Sequence, residues 1–244
     1  YLKTTVLVVV GFSGVIKAEN VSSLFVALLF LLSCHSIHAT NLGECGKGLS
    51  QRARGMGAHV IVIEVDPFRA LQAVMDGFRV MPIAQAAQLG DIFVTVTGNK
   101  NVIDVPHMKV MKEGVILANS GHFDAEINVA ALKKHATKTR KIRPSLEEFT
   151  LGGKRLFVLG EGRLINLAAA EGHPSAIMAM SFCNQALACE YLVKNKGKLK
   201  AGVHLLPAEK DTEIALLQLE AMGITIDSLT AEQKKYISSW HEGT

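Results

Sequence analysis

The chain has 244 residues, of which 49% are hydrophobic and 20% charged, and it carries a net charge of +4. That is enough chain for one large domain or two small ones, and too apolar a composition for a disordered protein. Nucleic acid is not an expected partner: the one dense basic stretch, Lys133, Lys134, Lys138, Arg140, Lys141 and Arg143, has no interleaved aromatics to stack bases and reads as a solvated helix-to-strand edge.

In chain order, Val6–Val10 is a continuous apolar run, as suits a strand buried in a parallel sheet. A glycine-rich stretch at 43–48 opens a helix over 49–56. A second buried strand follows at 60–64 and ends in an acid, Glu64. Residues 67–75 are predicted helical, with Pro67 suited to the first turn. Short strands are expected at 78–81, 92–97 and 115–119. Strands and helices alternating in units of this size predict an α/β fold, a Rossmann-type doubly wound parallel sheet with C-terminal helices. Past Asp124 the pattern changes to a helical segment running to Lys141, a strand at 156–159, a long helix over 175–194 and two further helices at 207–222 and 230–240. Ser228 or Thr230 can cap the last of these. We expect a dinucleotide-binding domain over 1–171 and a helical segment for inter-domain or oligomer packing over 172–244.

Residues 13–42 fit no element of this scheme. They contain nine consecutive apolar residues at 24–32, too few to span a bilayer, which takes about 20. A 30-residue connection also far exceeds the usual strand-to-helix turn of about 2–6 residues. Joining Phe12 to Gly43 restores an ordinary turn, so 13–42 is read as an atypical, non-native insertion, with a genuine inserted helix as the alternative. The first methionine is Met56 and the first strand begins almost at once, so the chain reads as a fragment.

With 13–42 discounted, Gly11, Phe12, Gly43, Glu44, Cys45, Gly46, Lys47 and Gly48 form a G-x-G-x-x-G turn between strand and helix. The first glycine permits the tight turn, the second lets a pyrophosphate approach the backbone, and the third lets helix and strand pack closely. The helix N-terminus then offers N–H groups and partial positive charge to the phosphates. Glu64 falls about 20 residues further on, where an acid accepts from the adenosine ribose hydroxyls. It would repel a 2′-phosphate, so NAD is expected as cofactor rather than NADP. Arg69, on the next helix, is a further candidate cofactor contact. The loops after the fourth and fifth strands carry Thr95, Thr97 and Asn99, and Ser120, Gly121 and His122. Both fall where open α/β sheets bind ligands, and His122 is the candidate catalytic group for proton transfer. None of the four cysteines lies in a C-x-x-C pair and the nine histidines show no H-x-x-x-H or H-E-x-x-H spacing. A reducing, cytoplasmic setting without a metal or a membrane span is expected.

Several motifs in order resemble one family. They include the Arg52-to-Ala58 stretch RARGMGA, Glu64 through Pro67, Ala70 through Gly77, Asp91 through Thr95, Gly121 through Asp124, Glu161 through Leu164, Asn166-Leu167, Gly172 through Pro174 and Asn184-Gln185. The chain resembles the NAD-binding half of the S-adenosyl-L-homocysteine hydrolases over nearly everything outside 13–42. Its ending resembles forms of the family without a longer lysine- and tyrosine-bearing tail. The resemblance implies NAD-dependent, reversible hydrolysis of S-adenosyl-L-homocysteine to adenosine and homocysteine. Bound NAD⁺ oxidises the 3′-hydroxyl, which makes the neighbouring C4′ proton acidic; homocysteine leaves, water adds and the ketone is reduced again. It implies NAD contacts from residues 43–48, Glu64, Thr95, Thr97, Asn99 and Asn166. Ser120, Gly121 and His122 are implied beside the nicotinamide and reacting sugar, His173 near the substrate, and a tetramer with 175–194 at an interface. Gly160 stands where the family has alanine. The half of the family carrying most substrate contacts and the proton-handling lysine and aspartate is absent here, so the fragment alone is expected to be inactive. A non-catalytic NAD-binding regulatory subunit is the alternative reading. A 2-hydroxyacid dehydrogenase is disfavoured, because its arginine, acid and histidine set is not recognisable.

Overall fold

The computed structural model describes residues 6–10, 44–121, 123–200, 202 and 204–239. The reading of 13–42 and the positions of Gly11, Gly43 and His122 lie outside these residues. Among the described residues the chain divides into two compact units, with the boundary between Pro174 and Ser175.

The first unit is built on one eight-stranded sheet. Its strands are β1 (Val6–Val10), β2 (His59–Ile63), β3 (Arg79–Val80), β4 (Ile92–Thr95), β5 (Val115–Asn119), β6 (Lys138–Arg143), β7 (Leu146–Leu151) and β8 (Lys154–Leu159). Their spatial order is β3-β2-β1-β4-β5-β8-β7-β6. The first six in that order pair parallel, from β3 through β8. This is the Rossmann-type doubly wound order, with β8 in the place of the sixth strand. The remaining pairs, β8 with β7 and β7 with β6, are antiparallel, so the sheet is mixed at that edge. β6 corrects the expectation of helix as far as Lys141. Only α5 (Val129–His135) is helical there, and Lys138, Arg140, Lys141 and Arg143 lie on β6, whose six residues are all exposed. An edge strand bearing Lys and Arg resists pairing with another chain.

The crossovers carry α1 (Glu44–Gly55), α2 (Pro67–Met75), α3 (Ile83–Ala86), α4 (Val105–Val110) and α5. α2 starts where the sequence dictates: the Asp66 side chain accepts the Arg69 N–H at 2.9 Å, and Pro67 occupies the first turn. Successive residues of the central strands feed opposite faces of the sheet. Phe93 and Leu117 join Met108, Leu132, Phe149 and Leu156 in one cluster; Ile92, Val94 and Ala118 join Leu49 and Ala53 of α1 in the other. Phe93 and Phe149 are fully buried, and each such side chain contributes about 1.5–3 kcal/mol over the exposed state. After β8 come a single 3₁₀ turn (Gly160–Gly162) and the short α6 (Ile165–Ala168).

The second unit contains α7 (Ser175–Lys194), α8 (Ala208–Ala221) and α9 (Ala231–Ile237). Thr230 caps α9 in a reciprocal box with Gln233, with hydrogen bonds of 2.9 and 3.2 Å. No residue of α7 is buried.

Candidate functional site

The parallel register aligns the carboxyl ends of the strands. Val10 pairs with Ile63 on one side and Thr95 on the other, Thr95 pairs with Asn119, and Asn119 bridges in parallel to Leu164. One row therefore crosses the sheet from β2 to the turn before α6. The candidate residues lie just beyond it: Glu64 after β2, Thr97 after β4, Ser120 after β5 and Asn166 on α6. Open doubly wound sheets bind ligands at this edge, where the strand order reverses between β1 and β4.

Buried polarity concentrates at this edge. Of the eight buried polar or charged residues described, Thr95, Thr97, Asn119, Ser120, Glu126 and Asn166 all belong to it. Asn119 is its hub. Its Oδ1 accepts the Thr95 hydroxyl at 3.2 Å and the Gly121 N–H at 2.8 Å. Its Nδ2 donates to the carbonyls of Phe123 and Gly162, the latter at 2.9 Å. The Ser120 N–H donates to the Thr95 carbonyl at 2.7 Å. The loop after β4 is fixed from within: the Asn99 N–H donates to Thr97 Oγ1 at 2.9 Å, and the Lys100 N–H to Asn99 Oδ1 at 2.8 Å. Glu126, fully buried, accepts the Thr97 N–H on both oxygens and the Gly98 N–H at 2.6 Å.

Asn166 is the exception. It is 1% exposed, yet neither its Oδ1 nor its Nδ2 has a hydrogen-bond partner among the described residues. An unmatched buried amide costs several kilocalories per mole unless something completes it. A dinucleotide lying along this edge brings the groups an amide can pair with, so the residues present fit such a cofactor. The chain also turns back to this point, because the Gly172 N–H donates to the Asn166 carbonyl at 3.1 Å, carrying the partly buried His173 next in sequence.

On the other side of the crevice, Glu64 Oε1 accepts the N–H groups of Val65 and Asp66 at 2.8 and 3.1 Å. The carboxylate is thereby held at the end of β2. Glu44 opens α1; Cys45, Lys47 and Gly48 in its first turns are partly buried and Gly46 buried. Arg69 sits in the first turn of α2, where its main-chain N–H completes the Asp66 cap. Cys45, Cys183 and Cys189 form no disulfide, and no cluster of three or more His, Cys, Asp or Glu suited to a metal is found among the described residues.

Sequence reasoning missed Glu126 and the hub role of Asn119. The only signal was an acid set among small and apolar residues, Ala125-Glu126-Ile127, directly after the His122 loop. Gly160 acquires a physical reading. It adopts φ +59°, and a Cβ there would lie 3.1 Å from that of Ala168. Any side chain would be tight and strained in this turn, and glycine avoids both costs.

Strand order, strand-end row and glycine-led helix together define a dinucleotide-binding domain of the Rossmann class. The comparisons with known proteins narrow that class. Residues 12–172 match the family described as S-adenosyl-L-homocysteine hydrolase, NAD binding domain, and the chain belongs to that family. It is 59% identical over 232 residues to an adenosylhomocysteinase of Thermosynechococcus vestitus, covering 95% of this chain and 52% of that protein. It is 54% identical to an adenosylhomocysteinase of Saccharolobus solfataricus, covering 95% and 54%. To an S-inosyl-L-homocysteine hydrolase of Methanocaldococcus jannaschii it is 50% identical over 231 residues, again covering 95% and 54%. The chain thus spans about half the length of the curated relatives it matches.

Proposed function

We propose that this chain is the NAD⁺-holding half of a hydrolase that cleaves S-adenosyl-L-homocysteine to adenosine and homocysteine. The observation that carries the reading is Asn166: a buried amide with both polar atoms unpartnered, at the strand edge where a dinucleotide would lie. Bound NAD⁺ would supply the hydride acceptor for transient oxidation of the substrate's 3′-hydroxyl.

Each residue then has a task. Gly11, Gly43 and the first turns of α1, through Glu44, Cys45, Gly46, Lys47 and Gly48, bring main-chain N–H groups to the pyrophosphate. Glu64 accepts from the adenosine ribose diol, and Arg69, in the first turn of α2, is a further cofactor contact. Thr95, Thr97, Asn99, Ser120 and Gly121 line the nicotinamide end. Asn166 matches the carboxamide donor for acceptor and acceptor for donor. His122 holds or moves a proton at the substrate sugar, and His173 stands by the nucleoside. The 172–244 segment serves packing between domains or subunits in a cytoplasmic homo-oligomer. The unburied, apolar α7 supports that role, because a 20-residue helix with no buried residue is suited to a protein partner.

The test is cofactor choice. Calorimetric titration of NAD⁺ and NADP⁺ should show NAD⁺ binding the tighter, with Glu64→Gln narrowing the gap by removing the charge that repels the 2′-phosphate. Equal or tighter binding of NADP⁺ by the unsubstituted chain would contradict the assignment.

A further inference from the structure

Glu126 has no task in the scheme above, yet it is among the most constrained side chains at the site. It lies in the turn between β5 and α5 and is fully buried. One face of its carboxylate takes main-chain N–H groups from the loop after β4: Thr97 at 3.1 and 2.9 Å to its two oxygens, and Gly98 at 2.6 Å to Oε1. The other face presses on the loop after β5. A Cβ at Gly121 would lie 1.9 Å from Oε1 and 2.8 Å from Oε2. Its own main chain is tied as well: the Asn101 N–H donates to the Ala125 carbonyl at 2.8 Å, and the Ile103 N–H to the Glu126 carbonyl at 3.1 Å.

Burying a carboxylate is costly, and packing alone would be served as well by an apolar side chain. What a carboxylate does here is specific. Two successive main-chain N–H groups at a turn make a small anion-binding concavity. Glu126 fills that concavity with an anion belonging to the chain. The amides of Thr97 and Gly98 are thereby withdrawn from any phosphate, which leaves the helix N-terminus of α1 as the place for the pyrophosphate. The same side chain sets the gap between the two loops.

We propose that Glu126 is a positioning residue for the nicotinamide end of the cofactor: it spaces the loops after β4 and β5 and keeps phosphate away from the first of them. This rests on the dinucleotide reading above. It predicts a selective defect, because the adenosine and pyrophosphate contacts lie on the β1–β2 side and do not involve Glu126.

The experiment compares NAD⁺ with ADP-ribose, which lacks the nicotinamide, by calorimetry on the full chain. Glu126→Gln retains the size and one acceptor but sets an amide N–H₂ against a backbone N–H. It should weaken NAD⁺ about tenfold or more, the cost of a hydrogen bond to a charged group, while ADP-ribose affinity changes by less than about twofold. Gly121→Ala should show the same selectivity, since its Cβ displaces the carboxylate. Retained ADP-ribose binding reports that each variant has folded. Parallel loss of both ligands in Glu126→Gln, or loss of neither, overturns the proposal. An unsubstituted chain that binds neither ligand refutes the dinucleotide reading itself, and the role of Glu126 falls with it.

Discussion

Asn119 and Asn166 are two buried asparagines at the same edge of the sheet, one ending β5 and the other on the short helix beyond β8, with Leu164 bridging to Asn119 between them. The Asn119 side chain is hydrogen-bonded within the chain to Thr95, Gly121, Phe123 and Gly162. Asn166 makes none with its side chain among the described residues. Where the strand ends meet, the polar groups are used to hold one loop against another, and such groups are scaffold. Where a buried polar group is left open at the ligand-binding edge, the fold bears a cost that a bound partner would remove. Internal bookkeeping of hydrogen bonds thus separates the frame of the site from the part kept for the cofactor.

The sharpest way to break this comparison is to remove the hub. Asn119→Ala leaves the Thr95 hydroxyl, the Gly121 N–H and two carbonyls without their partner in a buried setting. The expected loss is about 3 kcal/mol or more of unfolding free energy, read by denaturant titration in the absence of ligand. A loss below about 1 kcal/mol would mean that the loops re-form their bonds elsewhere, and that saturation does not mark scaffold.

A smaller effect tests how far the scaffold extends. Asn128 Nδ2 donates to Asp104 Oδ1 at 2.9 Å, and the Asp104 N–H donates to His107 Nδ1 at 3.2 Å, closing the cap of α4. Burial lowers the His107 pKa from its usual 6.5, against a smaller opposing pull from the Asp104 carboxylate. The unfolded chain therefore takes up this proton first as pH falls below about 6.5, and the folded state loses stability from there downward through the depressed folded value. Above that range the histidine is neutral in both states and contributes no slope. Unfolding curves between pH 7.5 and 5 should show this decline, and His107→Gln should flatten it. An unchanged slope in the variant would remove His107 from the scaffold.

Legibility from sequence followed the range of the interactions. The runs Val6–Val10, Val115–Asn119 and Pro67–Met75 carry their structure locally, in apolar continuity or in a proline at the first helical turn, and they appear as read. β6 did not, because KTRKIR has no apolar face and is a strand only through its ladder with β7. β7 also escaped notice, since its pairing with β8 outweighs weak local preference. At the site, the place of Glu64 directly after β2 was readable from the apolar run that precedes it. Asn166 entered through family resemblance; its open amide is visible only in three dimensions. Glu126 was not readable, since its partners Thr97 and Gly98 lie 29 and 28 residues away in sequence. A contact of that span leaves no periodicity.

The central claim is that the Asn166 amide is held open for the cofactor. Its most direct measurement is NAD⁺ binding by calorimetry to the unsubstituted chain and to Asn166→Ala, with thermal unfolding of both recorded without ligand. The account predicts that Asn166→Ala binds NAD⁺ about tenfold or more weakly, because a paired buried amide is lost from the complex. It also predicts that the ligand-free midpoint moves by no more than about 2 °C, because no internal hydrogen bond is broken. Equal NAD⁺ affinity in the two proteins, or a loss of stability as large as that of Asn119→Ala, would contradict it.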